Sequence, residues 1–522
     1  MTLPRKRNIF ALFTSISLIG FNFYLWNRYA LNLPKTDDAS LLIFIKDFNG
    51  ASSFVNQLNE IFRSYHGHSF VLTKLIALTD VYFFNELNFK HLMLTGNSAL
   101  LLIWWLITRF FKKSIAPVWY AIPIVTLWFS MAFWEDSFGG IASIQNFWVI
   151  AFALLSFWIL RRNDGFWWWA IPVTFLGFFT NENSILIIPI SFLVLLIQKQ
   201  YQKSIIWILF SFVNALLYFK VLRNQTLLYD YASPTSIKTF FRAFMLTAGS
   251  IVEGLPLGSN VSKLPLWNGW LTIFVSICLI TYILRNFFKK YNQLNDHDYF
   301  YLGGTLFALL SIGMFCFTNQ SKTPEIMLNS HFKPYSALLF SFNIAYLTIF
   351  VNHKFRDSLT ITFLIGASFL YISNQHYHLF DTIGFRKNQI SMAFSQQIDA
   401  IEPQYKRPHL FSDEILLHKI DTTGLKIRET TEWKLDNYLQ TDLRDGGKYL
   451  LLTGKKNYLF PFIFPRKHSL KDLFNYNRYF KKGAEIKLDY SKIEVGSYAV
   501  FQVNYKTNLL EINRDSKIII LR

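Results

Sequence analysis

The chain has 522 residues, 52% hydrophobic and 16% charged, with a mean hydropathy of +0.25 and a formal net charge of +19. Soluble chains carry about 25% charged residues, so this deficit and the repeated apolar runs of about twenty residues exclude an ordinary soluble protein and indicate a polytopic membrane protein. The basic residues sit mostly beside apolar runs, which argues for membrane topology rather than nucleic acid, and Cys278 and Cys316 both fall inside such runs, giving neither a disulfide nor a metal site.

The apolar pattern predicts about eleven spans, at 9–27, 91–111, 115–134, 141–160, 166–180, 184–198, 204–222, 264–284, 298–317, 334–352 and 357–373. The first has no small-residue cleavage site and reads as an uncleaved anchor. Positive charges then set the orientation. Arg5, Lys6 and Arg7 precede the first span, and Arg109, Lys112 and Lys113 follow the second. Arg161 and Arg162, Lys199 and Lys203, Arg285 with Lys289 and Lys290, and Lys354 with Arg356 mark further connections. Every second connection is basic, which is the positive-inside pattern with a cytoplasmic N-terminus.

The remaining connections fall on the outer side: 28–90, 135–140, 181–183, 223–263, 318–333 and everything after about residue 374. The first is long and carries two amphipathic stretches, Ser40 to Phe48 and Phe70 to Phe84. In the second, Leu72, Leu75, Ile76, Thr79 and Phe83 recur at helical spacing, as in a helix lying on the membrane or capping the bundle. Residues 374–522 are polar and mixed in charge, with strand-like runs at Tyr449–Leu452, Ala499–Val503 and Ile518–Leu521. They predict a small α+β domain on the same side as the long first loop. The expected organisation is therefore a mainly α transmembrane bundle, 1–373, followed by an extracytoplasmic α+β domain, 374–522.

Polar groups recur beside the outer span ends. The first loop offers Asp37, Asp38, His66, His68 and Lys74. Glu135 and Asp136 follow the third span, Glu182 sits in a tight hairpin, and Arg223 ends the seventh span. His331, Lys333 and Tyr335 open the tenth. Each also reads as an ordinary wet span end. Together they suit a reaction between a phosphate-bearing lipid and an acceptor from outside, with a carboxylate as general base and cations meeting the phosphate.

A single span, an acidic pair, a long amphipathic outer loop and a many-span bundle resemble the GT-C superfamily of integral membrane glycosyltransferases. The segment from His68 to Asp80 resembles a stretch in bacterial members that reads Glu-His-Arg, three apolar residues, a small one, then Arg-Leu-Ile-x-Leu-x-Asp. His68, Leu75, Ile76 and Asp80 match; Gly67 and Ser69 replace the flanking Glu and Arg, and Lys74 replaces the later Arg. The resemblance covers roughly residues 8–350 and implies a bacterial inner-membrane enzyme. It implies a polyprenyl-phosphate sugar as donor, a glycan or glycolipid as acceptor, and Asp37 or Asp38 as the base of an inverting transfer. Lys74, His331 and Lys333 would hold the donor phosphate, and His66, Glu135, Asp136, Glu182, Arg223 and Tyr335 would complete the binding groups. No cofactor is required, although a divalent cation at the acidic pair stays open. The rival readings are a lipid-linked glycan flippase or transporter, an envelope polysaccharide polymerase or ligase, and a scaffold presenting the C-terminal residues.

Overall fold

The computed structural model describes residues 3–63, 70–112, 118–162, 164–223, 236–255, 262–289, 294–319, 322–395, 432–435, 447–453, 457–462, 484–487, 496–506, 509–512 and 517–521. It is mostly helical. Helix α1 (Leu3–Tyr29) leads to a 3-10 turn at Thr36–Asp38, then to three short helices, α2 (Ala39–Gly50), α3 (Phe54–Phe62) and α4 (Val71–Phe84). α5 (Phe89–Lys112), α6 (Ile122–Trp128), α7 (Trp134–Ser137) and α8 (Gly140–Leu160) follow. Next come α9 (Ala170–Phe178), α10 (Ile187–Ile197), α11 (Tyr201–Arg223) and α12 (Ile237–Gly249). The series ends with α13 (Lys263–Lys289), α14 (Asp296–Thr318), α15 (Lys333–Phe350) and α16 (His353–Ser395).

Six of these helices, within α1, α5, α8, α13, α14 and α16, are long and apolar enough to cross a membrane. The expected spans 204–222 and 334–352 fall on the single helices α11 and α15, while three others are built differently. The run 115–134 is not one helix: a 3-10 turn at Val118–Ala121, α6, and a second 3-10 turn at Met131–Phe133 follow one another. α9 and α10 are shorter apolar helices, each entered through a 3-10 turn, at Gly165–Trp169 and Glu182–Leu186. Pro172 and Pro189 explain these entries. Proline lacks an N–H and its ring clashes with the carbonyl four residues earlier, so it fits only the first turn of an α-helix. α16 is the opposite case, running through residue 373 to a length of 43 residues.

The core lies among α5, α6, α8, α14 and α15, where Ile103, Phe110, Trp128, Phe157, Phe307 and Phe342 are almost fully buried. α5 and α8 approach closely at Gly96, where a Cβ would fall 2.1 Å from Ser143 Oγ. Small residues that bring helix backbones together are a common device of membrane bundles. A second apolar cluster joins Trp26, Leu41, Phe44 and Phe89 to Ile390 of α16 and to Tyr449, Leu451 and Leu459.

Those last residues belong to antiparallel strands. β1 (Glu432–Leu435) pairs with β4 (Ala484–Lys487). β2 (Gly447–Thr453), β3 (Asn457–Pro461), β5 (Gly496–Lys506), β6 (Leu509–Ile512) and β7 (Lys517–Leu521) form a five-stranded sheet in which β5 pairs with β2, β6 and β7. The runs Tyr449–Leu452, Ala499–Val503 and Ile518–Leu521 lie in β2, β5 and β7. The sheet meets α16 through Lys387, whose Nζ donates to the Phe462 carbonyl at 3.3 Å, and through Ser391, whose hydroxyl donates to the Leu459 carbonyl.

Candidate functional site

Four separate chain segments meet at one end of the bundle, and each arrives as a tight turn. They are the 3-10 turn Thr36–Asp38, the short α7, the 3-10 turn Glu182–Leu186 and a 3-10 turn at Ser330–Phe332. Around them opens a cavity of about 500 Å³. Its charged lining is Asp37, Asp38, Glu135, Asp136 and Glu182, against Lys35 and His331. Asn146, Asn181, Asn183, Phe315 and Phe332 complete much of the wall. The cavity stands at the C-terminal end of α14, where Met314, Phe315, Thr318 and Asn319 line it.

The two acids of the first turn have different jobs. Asp38 is 2% exposed. Its Oδ1 accepts from the Ile141 N–H at 2.7 Å, and its Oδ2 accepts from the N–H groups of Gly140 and Lys35, each at 3.0 Å. It therefore satisfies the free donors at the N-terminus of α8 from about a hundred residues away. A Cβ on residue 140 would lie 3.3 Å from Asp38 Oδ1, so glycine lets the carboxylate close on the helix end. Burial pushes the Asp38 pKa up, and the three backbone N–H groups oppose it. Asp37 is exposed and faces the same cavity.

α7 and the Ser330–Phe332 turn are clamped to each other. The Glu135 N–H donates to Ser330 Oγ at 3.2 Å, the Ser330 N–H donates to Glu135 Oε2 at 2.9 Å, and Ser330 Oγ donates to the Ala132 carbonyl at 2.7 Å. His331 Nδ1 lies 3.3 Å from the same Glu135 oxygen. Burial works to raise the Glu135 pKa, but the bond and charge of His331, with Lys35 and Lys333 behind it, hold the carboxyl below its usual value. Lys35, which the sequence reading passed over, donates from Nζ to the Glu135 carbonyl at 2.6 Å and lies over the Phe385 ring. Its signal in the sequence is a lone cation next to an acidic pair.

Asp136 is fully buried. Its Oδ1 accepts from Asn146 Nδ2 at 2.7 Å, and Asn146 Oδ1 in turn accepts from Asn181 Nδ2 at 3.3 Å. Its Oδ2 has no donor among the described residues. Burial raises the Asp136 pKa to about 6 against the opposing charges of His331 and Lys35. A carboxylate titrating there, inside a cleft, is a typical feature of a functional site.

Other expected groups lie elsewhere. Lys74 is buried under α3, where its Nζ donates to the carbonyls of Glu60 at 2.7 Å, Ile61 at 3.2 Å and Arg63, and lies over the Phe44 ring. Burial pulls its pKa down to about 7. It ties the C-terminal end of α3 to α4 and does not line the cavity. Lys333 is buried beside the site, 2.5 Å from Glu253 Oε2 and 3.2 Å from His378 Nε2, with His378 Nδ1 3.0 Å from Asp381. Tyr335 is buried behind the wall and accepts from Asn183 Nδ2 at 3.0 Å. Arg223 ends α11, and its side chain lies outside the described part of the structure. His66 and His68 lie outside the described residues. Among the described residues no group of three or more His, Cys, Asp or Glu side chains is arranged to hold a metal ion.

The arrangement offers an exposed carboxylate, a buried one poised near pH 6, a lysine, a histidine and several amides in one cleft. No protein-family model matches the chain, and neither the curated proteins nor the solved structures include a match.

Proposed function

We propose that this chain is a membrane glycosyltransferase of the GT-C kind, moving a sugar from a polyprenyl-phosphate donor to a glycan or glycolipid acceptor. The observation that carries the reading is the cavity, which gathers Asp37, Glu135, Asp136 and Glu182 with Lys35 and His331 from four distant segments. In this reading the bundle has about eleven spans, counting the short helices with their 3-10 entries. The basic connections face the cytoplasm and the cavity faces outward. The sheet residues form an α+β domain on the outer side of a bacterial inner membrane.

The chemistry is one displacement. Asp37 takes the proton of the acceptor hydroxyl, whose oxygen forms a bond to the anomeric carbon. The bond from that carbon to the phosphate oxygen breaks, and polyprenyl phosphate leaves with the electron pair, met by Lys35 and His331. Attack opposite the leaving group inverts the anomeric configuration.

The test is transfer by the full chain in proteoliposomes, with a panel of radiolabelled polyprenyl-phosphate sugars and envelope lipid extract as acceptor. The expected result is label in acceptor with the wild type and its loss with Asp37→Asn. Label that crosses the bilayer while still attached to polyprenyl phosphate would instead establish a flippase and overturn the proposal.

A further inference from the structure

The cavity has a second chemical face beside the charged one. Asp136 and Asn183 are both fully buried, both line the cavity, and each has one buried oxygen with no donor among the described residues, Asp136 Oδ2 and Asn183 Oδ1. A buried acceptor left without a donor has lost its water and gained nothing in return. Two of them among the residues lining one cavity point to a ligand that supplies donors. Neither side chain is loosely placed. Asn146 Nδ2 holds the other oxygen of Asp136 at 2.7 Å, and Asn181 Nδ2 braces Asn146 at 3.3 Å. Asn183 donates from Nδ2 to the Tyr335 hydroxyl at 3.0 Å, and its backbone N–H donates to Asn181 Oδ1 at 3.2 Å. The two open oxygens are thus fixed from behind, which lowers the ordering cost of binding.

Beside them stand aromatic rings. Phe315 packs edge-on against Tyr335 at 4.9 Å and lies 5.1 Å from Phe332, and both phenylalanines line the cavity. Amide and carboxylate acceptors next to apolar rings fit a ligand with hydroxyls at its edge and C–H groups on its face. The lining acids outnumber the lining cations, so an anionic ring is repelled.

We propose that Asp136 and Asn183 form a hydroxyl-reading subsite in which Asp136 Oδ2 and Asn183 Oδ1 accept hydrogen bonds from two hydroxyls of a neutral sugar ring, while Phe315 and Phe332 cover its apolar face. The subsite rests on the glycosyltransferase reading for its role in the reaction, and it binds sugar whether or not transfer follows. Both residues determine specificity: a ring position that cannot donate a hydrogen bond is rejected, because it leaves a buried oxygen without a donor.

The experiment is saturation-transfer NMR on the full chain in nanodiscs, with the methyl glycosides of glucose, mannose, galactose and arabinose, their monofluoro analogues, and methyl glucuronide. At least one neutral glycoside binds; fluorine at one of its hydroxyl positions weakens binding tenfold or more; the glucuronide does not bind. Asp136→Asn and Asn183→Leu each weaken binding at least tenfold, and Asp357→Asn, remote from the cavity, leaves it unchanged. Should Asp136→Asn fail to fold, Asn183→Leu carries the test alone. No binding by any neutral glycoside, or unchanged binding in Asn183→Leu, overturns the subsite. Glycoside binding of the expected pattern without transfer from any lipid-linked donor leaves the subsite standing and removes the transferase reading. Transfer with glycoside binding insensitive to both variants does the reverse.

Discussion

The two ends of α14 treat charge in opposite ways. At its N-terminal end, Asp298 accepts from the Tyr346 hydroxyl at 2.6 Å and Asp296 pairs with Arg162 at 3.3 Å. At the start of α16, Asp357 meets Arg7 at 2.9 Å and the Tyr120 hydroxyl at 2.5 Å. At the C-terminal end of α14 lies the cavity, where Glu135 meets His331 but Asp37 is exposed and Asp136 and Asn183 each keep an oxygen without a donor among the described residues. Neutralised charge marks positions that hold the bundle together. Buried acceptors left without a donor, at an energetic cost, mark the positions that the proposed subsite uses.

That contrast can be broken at graded cost. Asp37→Asn should lower transfer by about 10²–10⁴-fold, as removal of a general base does, with unchanged thermal unfolding in detergent. Transfer within threefold of wild type would move the base elsewhere. Asp136→Asn comes next, and its sign is opposite for stability. Burial raises the folded pKa to about 6 from 3.8, so Asp136 favours folding below pH 3.8 and that contribution is lost as pH rises through 6. At pH 7 the charged form therefore costs about 3 kcal/mol, at about 1.36 kcal/mol per unit. Asp136→Asn should raise the melting temperature at pH 7 while weakening glycoside binding, and the gain should shrink towards pH 4. His331, Lys35 and Glu135 surround this group, so the pH series belongs in a His331→Gln background as well. An unchanged melting temperature at both pH values would remove the idea of a strained site.

Asp38→Ala should destabilise by about 2 kcal/mol, the upper range for a lost helix cap, with transfer falling only as the folded fraction falls. Asp357→Asn should change stability by under about 1 kcal/mol, because both partners of its ion pair are more than two-fifths exposed. A larger loss of transfer than of stability in Asp357→Asn would join the two ends functionally and dissolve the contrast.

Much of the cavity end was legible from charge alternation alone. The rule that every second connection is basic leaves Asp37, Asp38, Glu135, Asp136, Glu182 and His331 to one end, and all six line the cavity. What separates Asp38 from Asp37 was not legible, because the N–H groups of Gly140 and Ile141 that Asp38 meets lie a hundred residues away. Lys74 and Lys333 read as phosphate ligands by charge, yet backbone carbonyls and Glu253 engage them, and such long-range partners leave no local pattern. Lys35 was hidden for the same reason: the Glu135 carbonyl that it meets lies a hundred residues away. The strand-like runs at 449–452, 499–503 and 518–521 were legible as short apolar runs punctuated by Gly446, Gly447 and Gly496, whereas the 3-10 entries to α9 and α10 show only as prolines inside apolar runs.

α16 has a mechanical consequence. At 1.5 Å per residue its 43 residues reach about 65 Å, roughly twice the hydrocarbon thickness of a bilayer. Any membrane it crosses leaves about half of it projecting as a mast, with β3 moored near its tip through Ser391 and Lys387. A helical mast couples height to azimuth: one residue removed from the projecting half lowers the sheet by about 1.5 Å and swings it by about 100°. Because Ile390, Tyr449 and Leu459 share one apolar cluster with Trp26, Leu41 and Phe44, a single deletion there would tear that seam out of register, while a deletion of seven residues would shift it along the axis with little rotation.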